Sequence, residues 1–423
     1  LIVPCRGMAE GGGFIDSPEH QVAVLQRALA SGPAYLDVEL SVPAQLRQQL
    51  YASRGPTRLI ASYHHFGPEP LRPITMELLT EAPGDLVKFA IKVDDATDLD
   101  DLLAMLPDET RPVIRIGMGP AGLLSRWLYG RFGSPWTYVA ATPDRTVAPG
   151  QLDLDQVSRW RLADVADSTL LALMGGPHIV HSPGPDCYNR LFGQRGLPFI
   201  YLSCLTDDPP AALALLERLG CGGCSVTMPA KRILMDAMDS VSDLARRAGA
   251  LNTVLWRAGR RHGENSDAAA IRQLVGESES PPARTLILGG GGTARAALAV
   301  STGEVFLAGR SLDKIATLAD EFGAIPVAWS NRAAVPFDLL INATPVGMDG
   351  EADPLPPRVD LTGKTVLDAV YTPGGSPLVR RARAAGATVH DGFTLWCEQG
   401  ARQISAMIGQ PVTPTQLREV HDA

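Results

Sequence analysis

The sequence has few of the features that mark membrane, nucleic-acid-binding or disulfide-stabilised proteins. Six cysteines in 423 residues are too few for a disulfide framework and indicate a reducing compartment such as the cytosol. No apolar run approaches the roughly 18 residues of a membrane-spanning helix. The net charge of −8 excludes the basic field that holds nucleic acid. A hydrophobic content of 45% describes a globular protein, whose length suggests about three domains.

Two details concern the cysteines and the beginning of the chain. Cys221 and Cys224 form a C-x-x-C motif, but no second pair completes a zinc site, so we interpret them as structural and expect no metal. The sequence begins with Leu1, and "LIVPCR" already has the pattern of a strand. We therefore expect a fragment of a longer protein, located in the cytoplasm, or in a plastid if a transit peptide precedes Leu1.

Residues 1 to about 160 alternate short apolar strands with amphipathic helices. The predicted strands are "LIVPCR", "AYLDVEL", "RLIASYHH", "DLVKFAIKV", "PVIRIGM" and "WTYVAAT", and the predicted helices include "HQVAVLQRALASG" and "TDLDDLLAMLP". Six successive strand–helix units predict a parallel sheet with crossover helices. A complete eight-unit barrel needs about 200 residues or more. We therefore expect an α/β fold with an incomplete (β/α)8 barrel that lacks two units at its N-terminus.

Two further units follow the predicted barrel. The second begins near "STLLALMGGP" and alternates strands and helices to about residue 276. A polar joint, "ESESPPAR" (277–284), precedes the third unit, which opens with the strand, glycine-rich turn and helix of "TLILGGGGTARAALAV". This pattern predicts domains at 1–163, 168–278 and 283–391, with a C-terminal helix at 392–412 that packs back on the second.

Lys88 stands inside the apolar strand of "GDLVKFAIKVDD". An unpaired ammonium group is costly to bury, and burial lowers the pKa of a lysine. One interpretation is that the side chain reaches the strand end and stays solvated. The other is an amine kept partly neutral so that it can attack a carbonyl.

Polar residues near the carboxyl ends of the predicted strands favour the second interpretation. They are Arg6, Glu10, His64, Arg126 and Gln151. A lone histidine at a strand end is more often a structural hydrogen-bond partner. An amine, a base and cations on the face where such barrels place their chemistry suit an imine mechanism on a ketone that carries a carboxylate.

At these residues the chain resembles type I 3-dehydroquinate dehydratase. The matching motifs, in the family's order, are R-x-x-x-E-G-G (6–12), D-x-E-L (37–40), S-x-H-x-F (62–66), V-K-x-A (87–90), S-R (125–126) and A-P-G-Q (148–151). The resemblance implies that Lys88 forms a Schiff base with the C3 ketone of 3-dehydroquinate. His64 would move the C2 proton to the departing hydroxyl, and Glu10 would orient His64.

The same resemblance implies that Arg6, Arg126 and Gln151 bind the carboxylate and hydroxyls of the substrate. Two features depart from the family pattern. Val147 stands where the family usually has a hydroxyl residue. The family's first two strands, which carry further substrate contacts, are absent from the sequence.

The glycine-rich turn of the third unit predicts a cofactor site. Gly289, Gly291 and Gly292 lie between a strand and a helix, where backbone N–H groups can reach a pyrophosphate. Such turns also occur without ligands. Arg310, with Ser311 and Lys314, follows the next strand, where an NAD site would have an acidic residue. Unless Arg310 is only a solvated surface residue, it favours the 2′-phosphate of NADP.

The segment from about 170 to 412 resembles shikimate dehydrogenase. The motifs are "HSPGP", "SVTMPAK", "GALNT", "GENSDAAA", "INATPVGM", "DAVYTP" and "DGFTLWCEQG". Singly, Lys231 would be a surface residue and Asp267 a helix cap. The resemblance instead makes them the catalytic pair. It also implies the remaining contacts: to the substrate from Ser182, Thr227, Asn252, Gln399 and Tyr371, the last near the nicotinamide, and to the cofactor from Thr344.

Gly184 stands where the dehydrogenase family has the second serine of its first motif. Losing that serine removes a carboxylate contact worth about 1.5–3 kcal/mol and frees space beside C1. We therefore hypothesise weaker shikimate binding and the acceptance of quinate.

The two resemblances together imply a bifunctional shikimate-pathway enzyme with a two-domain dehydrogenase unit and a Rossmann-like NADP domain. Its partners would be the small molecules 3-dehydroquinate, 3-dehydroshikimate and shikimate, with neither nucleic acid nor membrane. Two alternatives stay open: a quinate/shikimate dehydrogenase with an inactive barrel, and a non-catalytic regulator of quinate use.

Overall fold

The computed structural model describes residues 1–67, 81–106, 109–148, 150–276 and 282–422. Most of the predicted joint (277–281) and Pro149 of the A-P-G-Q motif lie outside the described residues. The strands are β1 (Ile2–Pro4), β2 (Tyr35–Glu39), β3 (Arg58–His65), β4 (Leu86–Lys92), β5 (Val113–Met118), β6 (Val139–Ala140), β7 (Leu152–Asp153), β8 (Thr169–Gly175), β9 (Phe199–Leu205), β10 (Gly223–Val226), β11 (Ser240–Val241), β12 (Thr253–Arg257), β13 (Arg260–Glu264), β14 (Arg284–Leu288), β15 (Glu304–Gly309), β16 (Ile325–Ala328), β17 (Leu339–Asn342), β18 (Thr365–Asp368) and β19 (Thr388–His390).

Helices connect most of these strands. They are α1 (Pro18–Leu29), α2 (Ala44–Ser53), α3 (Ala96–Ala104), α4 (Leu123–Trp127), α5 (Leu154–Arg159), α6 (Gly184–Arg195), α7 (Pro209–Arg218), α8 (Ala230–Ile233), α9 (Asp243–Ala248), α10 (Ser266–Gly276), α11 (Gly292–Val300), α12 (Leu312–Phe322), α13 (Pro377–Ala384), α14 (Gly392–Ile408) and α15 (Pro414–Asp422). In the part of the chain that the structure describes, no helix is long and apolar enough to cross a bilayer.

The chain forms two compact units, which interleave in sequence. The first comprises Leu1–Thr169, Pro177–Ser182 and Gly196–Leu219, and the second comprises Leu170–Gly176, Pro183–Arg195 and Gly220–Ala423.

Strands β1 to β5 of the first unit lie side by side in sequence order and run parallel. This is the arrangement of a barrel wall, as predicted. The sixth predicted strand, "WTYVAAT", is shorter than predicted and does not join this sheet. It is limited to β6, which pairs with β7 in a separate two-stranded sheet. The aromatic residues before it, Trp136 and Tyr138, instead pack their side chains against the core of the five-stranded sheet.

The two faces of the five-stranded sheet have different coverings. On one face Leu36, Val38 and Leu59 are buried with Leu25 of α1 and Leu50 of α2. Because side chains alternate along a strand, the next residues in each strand turn to the opposite face. Strands that are covered on both faces read as continuous apolar runs, which is the pattern of β4.

The opposite face of this sheet carries the polar residues. Its apolar layer includes Ile60, Leu86, Ala90 and Ile114. Lys88 lies between Leu86 and Ala90 in β4, so the alternation of the strand places it on this same face.

In the second unit, five strands run in the order β11-β13-β12-β10-β8. Strand β12 is antiparallel to both neighbours, whereas β10 and β8 are parallel. Helix α14 packs on α10. It ends at Ile408, before a left-handed Gly409, and a further helix that was not predicted, α15, follows.

The same unit contains a six-stranded parallel sheet in the order β16-β15-β14-β17-β18-β19. Numbered from its first strand, this is the 3-2-1-4-5-6 order of doubly wound dinucleotide-binding sheets. Apolar clusters cover both faces. The strand order reverses between β14 and β17, so the turn after β14 lies at the point where such folds bind ligands.

Candidate active sites

The amine of Lys88 is buried. The residue is 6% exposed, and its Nζ donates a hydrogen bond to Oδ2 of Asp37 at 2.8 Å. Asp37 also accepts from the hydroxyl of Ser62 and, at 3.3 Å, from Nη2 of Arg6. The side chain therefore ends in a charged network inside the protein and not in water.

Burial and charge act in opposite directions on this pair. Burial lowers the pKa of Lys88, the charge of Asp37 opposes that shift, and the charge of Arg6 adds to it; the net shift is downward. Burial alone would raise the pKa of Asp37, but Lys88 and Arg6 outweigh burial and hold it well below its ordinary value. Lys88 is thus an ammonium group that loses its proton more readily than a surface lysine, as an imine-forming amine requires.

His64 is held by Glu10 in a water-poor environment. Nδ1 of His64 lies 2.9 Å from Oε2 of Glu10, which also accepts from the His64 backbone N–H at 2.9 Å. Burial raises the pKa of Glu10 to about 7, and the charge of Glu39 adds to the shift. Burial lowers the pKa of His64 to about 2, with further lowering by Lys88 and Arg6. His64 is therefore neutral near pH 7, the state that a general base needs.

Arg6 connects these groups. Its Nη1 lies 2.6 Å from Nδ1 of His64 and 3.0 Å from Oε1 of Glu39. Glu39 is fixed in turn by the backbone N–H of Gly7 at 3.0 Å and by Gln21 at 2.9 Å. In the structure Arg6 thus forms ion pairs with protein carboxylates. Four of the predicted residues of this site lie together: Arg6, Glu10, His64 and Lys88.

Arg126 and Gln151 were also predicted for this site, but they form hydrogen bonds with backbone groups outside this cluster. Arg126 is 2% exposed and donates from Nε to the carbonyl of Gly117 at 3.2 Å. Its buried Nη2 has no hydrogen-bond partner among the described residues. Burial lowers its pKa only to about 10, so it remains a cation at neutral pH. Gln151 accepts from the backbone N–H of Val147 at 2.8 Å.

Asp37 was not predicted as a site residue, although its motif was recognised. The signal was its position in D-x-E-L on the strand next to β3. Tyr138 was also missed: its ring centroid lies 4.9 Å from Nζ of Lys88. Its only signal was an aromatic residue in the last predicted strand.

Lys231 and Asp267, the second predicted pair, are in direct contact. Nζ of Lys231, in α8, donates to Oδ2 of Asp267, at the start of α10, at 2.5 Å. Both side chains are mostly buried, with exposures of 15% and 11%. A Cβ atom on Gly292 would lie 3.0 Å from Cδ of Lys231, so the pair abuts the glycine-rich turn.

Asn252 belongs to a hydrogen-bond chain close to this pair in sequence. Its side-chain amide donates to Ser266 at 2.9 Å, and Ser266 donates to Oε1 of Gln399 at 3.3 Å. Gln403, which was not predicted, fixes the Asn252 carbonyl at 2.7 Å. Thr227 donates its backbone N–H to Met174 at 2.9 Å.

Ser182 and Tyr371 complete the predicted substrate residues. Ser182 lies in the first unit, where its backbone N–H donates to Ile179 at 3.1 Å. The hydroxyl of Tyr371 lies 2.8 Å from Nε2 of His421, in the unpredicted helix α15. The ring of Tyr371 stacks on Phe393, with centroids 5.4 Å apart.

The turn between β14 and α11 has the backbone that its glycines predict. Gly289 has φ of +111°, and a Cβ atom there would lie 2.7 Å from the carbonyl oxygen of Ala343. A Cβ atom on Gly291 would meet nothing within 4 Å, which leaves space before the helix for a ligand. Thr344 follows β17 and donates its hydroxyl to Asn342 at 2.7 Å.

Basic side chains stand at the end of the neighbouring strand. Arg310 follows β15, Ser311 precedes α12, and Lys314 lies in its first turn; all three are exposed. The open glycine turn and these exposed cations fit a dinucleotide that carries an additional phosphate.

These features define an α/β protein in which a barrel-type domain precedes a Rossmann-type dehydrogenase unit. Residues 1–161 match the family model of type I 3-dehydroquinase, and residues 173–254 match that of the shikimate dehydrogenase substrate binding domain. The chain carries a type I dehydroquinase domain followed by shikimate dehydrogenase domains.

The chain is similar to several curated proteins and solved structures. A pentafunctional AROM polypeptide of Malassezia globosa is 31% identical over 407 residues, which are 90% of this chain and 24% of the relative. The chain thus spans about a quarter of that relative's length. A chloroplastic bifunctional 3-dehydroquinate dehydratase/shikimate dehydrogenase of Arabidopsis thaliana is 28% identical, with coverages of 96% and 72%. The crystal structure of Thermus thermophilus shikimate 5-dehydrogenase with NADP(H) and shikimate matches with a TM-score of 0.54, 29% identity and coverages of 60% and 98%.

Proposed function

We propose that this chain dehydrates 3-dehydroquinate to 3-dehydroshikimate and reduces that product to shikimate with NADPH. The buried Lys88–Asp37 pair beside His64 and Glu10 is the observation that carries the first activity. Lys231 and Asp267 beside the glycine-rich turn support the second. The domain limits 1–163, 168–278 and 283–391, with the C-terminal helix 392–412, belong to the same proposal.

In the first reaction the neutral amine of Lys88 attacks the C3 ketone, and the carbinolamine takes up one proton and loses water to give an iminium ion; the final hydrolysis returns that proton. Its positive charge makes the C2 proton acidic, so neutral His64 can remove it. His64 returns that proton to the C1 hydroxyl, which departs as water. Hydrolysis then releases the product and the amine, with a net loss of one water. Arg126 remains a cation at neutral pH, and its Nη2 lacks a protein partner among the described residues. It would therefore hold the substrate's carboxylate.

In the second reaction bound NADPH would supply the hydride to the ketone carbon. Lys231 and Asp267 would hold the ketone oxygen and give it a proton as negative charge develops. Asn252, Gln399, Thr227 and Tyr371, which lie in the second unit with this pair, would bind the ring. The glycines of the turn and Thr344 would hold the cofactor, with the additional phosphate on Arg310, Ser311 and Lys314.

The first activity is tested by trapping with borohydride. In the presence of 3-dehydroquinate, mass spectrometry should find the reduced adduct on Lys88 in the wild type and none in Lys88→Met. Lys92→Met is the matched control, because Lys92 is an exposed lysine of the same strand, paired with Asp94. A folded wild-type protein without an adduct would rule out the imine reaction and favour an inactive barrel or a non-catalytic regulator.

The second activity is tested by the oxidation of NADPH with 3-dehydroshikimate. Lys231→Met should lower kcat about 100-fold or more, since general acid–base catalysis contributes roughly 10²–10⁴-fold. Arg232→Met, at the exposed next position, should not. Parallel assays with quinate test the second candidate, which Gly184 favours. Faster turnover of quinate than of shikimate with a barrel that cannot be trapped would identify a quinate dehydrogenase instead.

A further inference from the structure

The hydroxyl of Tyr138 is a buried polar group that the proposed reaction does not yet use. The ring of Tyr138 faces Nζ of Lys88, with 4.9 Å between that nitrogen and the ring centroid. The hydroxyl is buried, and its proton has no acceptor among the described residues; the Trp136 indole is close enough to lower its pKa slightly, but an indole N–H can only donate. The hydroxyl is carried by the ring that contacts the reactive amine.

An unpaired hydroxyl at this position costs stability. Buried polar groups in folded proteins nearly always have partners, and those without one are often found where a ligand supplies it. Tyr138 packs against Ile60, Leu86 and Ile114, surroundings in which a phenylalanine would fit without cost. Packing and the contact with the ammonium group therefore explain the ring, but neither explains the oxygen.

The chemical state of this hydroxyl is defined by its surroundings. Burial raises the pKa of Tyr138 to about 12, against a smaller opposing effect of the Trp136 indole. The phenol is consequently neutral throughout the physiological range and can donate a hydrogen bond. The nearby charges of Lys88, Asp37 and Arg6 are already paired with one another. A ligand oxygen beside the amine is thus the partner that this donor lacks.

We propose that the Tyr138 hydroxyl is a substrate-binding group of the Lys88 site, which donates a hydrogen bond to an oxygen atom of a hydroxylated ring substrate while the aromatic face supports the nitrogen cation. This inference rests on the proposed dehydratase activity. The aromatic face favours positive charge on the nitrogen of residue 88 both in the ammonium ion and in the iminium ion. The ring and the hydroxyl therefore have separable roles. Tyr138→Phe removes the hydrogen bond of the hydroxyl and keeps the aromatic face.

The test compares Tyr138→Phe with Tyr35→Phe. Tyr35 packs on the same core and near Trp136, but its hydroxyl accepts from Arg58 at 3.4 Å in an exposed position. Without substrate, Tyr138→Phe should melt at a higher temperature than the wild type because the unpaired oxygen is gone. With 3-dehydroquinate, its KM should rise about 10-fold or more, the equivalent of about 1.4 kcal/mol, with kcat nearly unchanged. Tyr35→Phe should keep the KM of the wild type.

Other outcomes would overturn the inference. A Tyr138→Phe protein that is more stable but has an unchanged KM would show that the oxygen meets no substrate. A destabilised or unfolded variant would show that the oxygen has a structural partner in the protein. Failure of the wild type to form the Lys88 adduct would instead defeat the proposed function, so the two failures are distinguishable.

Discussion

Lys88 and Asp37 meet across an intervening strand: the donor lies in β4, the acceptor in β2, and their 2.8 Å hydrogen bond passes over Ser62 of β3. The contact makes the state of the amine depend on a carboxylate that is 51 residues away in the sequence.

Asp37→Asn should move the pH dependence of adduct formation to lower pH. The charge of Asp37 raises the pKa of Lys88 against the larger effect of burial, so its removal leaves the amine neutral over a wider range. The measurement is the fraction of Lys88 trapped with 3-dehydroquinate and borohydride as a function of pH. Asp94→Asn, which disrupts the exposed pair with Lys92, is the control. An unchanged or higher midpoint in Asp37→Asn would contradict the assignment.

Glu10→Gln should change how stability depends on pH. The pKa of Glu10 rises from 4.5 to about 7 on folding, so this residue's contribution is fully present below pH 4.5 and is lost as the pH rises through 7. The free energy of unfolding of the variant minus that of the wild type should therefore increase by about 3 kcal/mol between pH 4.5 and pH 7. Denaturant titrations at the two pH values measure this. A difference that is independent of pH would contradict the raised pKa, whatever the stability of the variant at one pH.

Two substitutions in one turn should separate folding from cofactor binding. Gly289→Ala requires an alanine at φ of +111° with its Cβ 2.7 Å from the Ala343 carbonyl, and should destabilise the second unit by about 1–3 kcal/mol. Gly291→Ala has φ of −88° and open space, and should leave the melting temperature unchanged. If backbone N–H groups of this turn approach a pyrophosphate, the Gly291 variant should nevertheless bind NADPH more weakly. Equal NADPH affinity in Gly291→Ala and the wild type, by fluorescence titration, would place the phosphates elsewhere.

Arg310→Ala should weaken the preference for NADPH. A charge-assisted hydrogen bond contributes about 1.5–3 kcal/mol, so the KM for NADPH should rise about 10–100-fold while that for NADH changes little. Steady-state assays with both cofactors check this, and Arg358→Ala, another exposed arginine of the second unit, is the control. A parallel rise of both KM values would show that Arg310 does not distinguish the 2′-phosphate.

The parts of the fold and sites that were predictable from the sequence are those with local signals. The apolar run around Lys88 predicted a strand buried on both faces, and the glycines after β14 predicted the turn. Lys231 and Asp267 were recognised by their motifs, and the structure brings them into contact.

Long-range partners were not predictable in the same way. Asp37 meets Lys88 because β2 and β4 lie on either side of β3 in the sheet. No local sequence pattern specifies that strand order. His421 reaches Tyr371 from a short polar helix whose packing depends on tertiary structure. The sixth strand is shorter than predicted, because aromatic and β-branched residues suit strands generally, whereas here Val139–Ala140 form the strand and Trp136 and Tyr138 pack on the core of the five-stranded sheet.

The alternation of β3 and β4 also constrains how this protein can change during evolution. Ser62 and His64 are two positions apart, and Lys88 shares their face through the register of the two strands. Inserting or deleting a single residue early in either strand would turn its polar groups toward the helix-covered face, where charges have no counterpart. Homologous genes should therefore differ here by point replacements, and length variation should be confined to the loops.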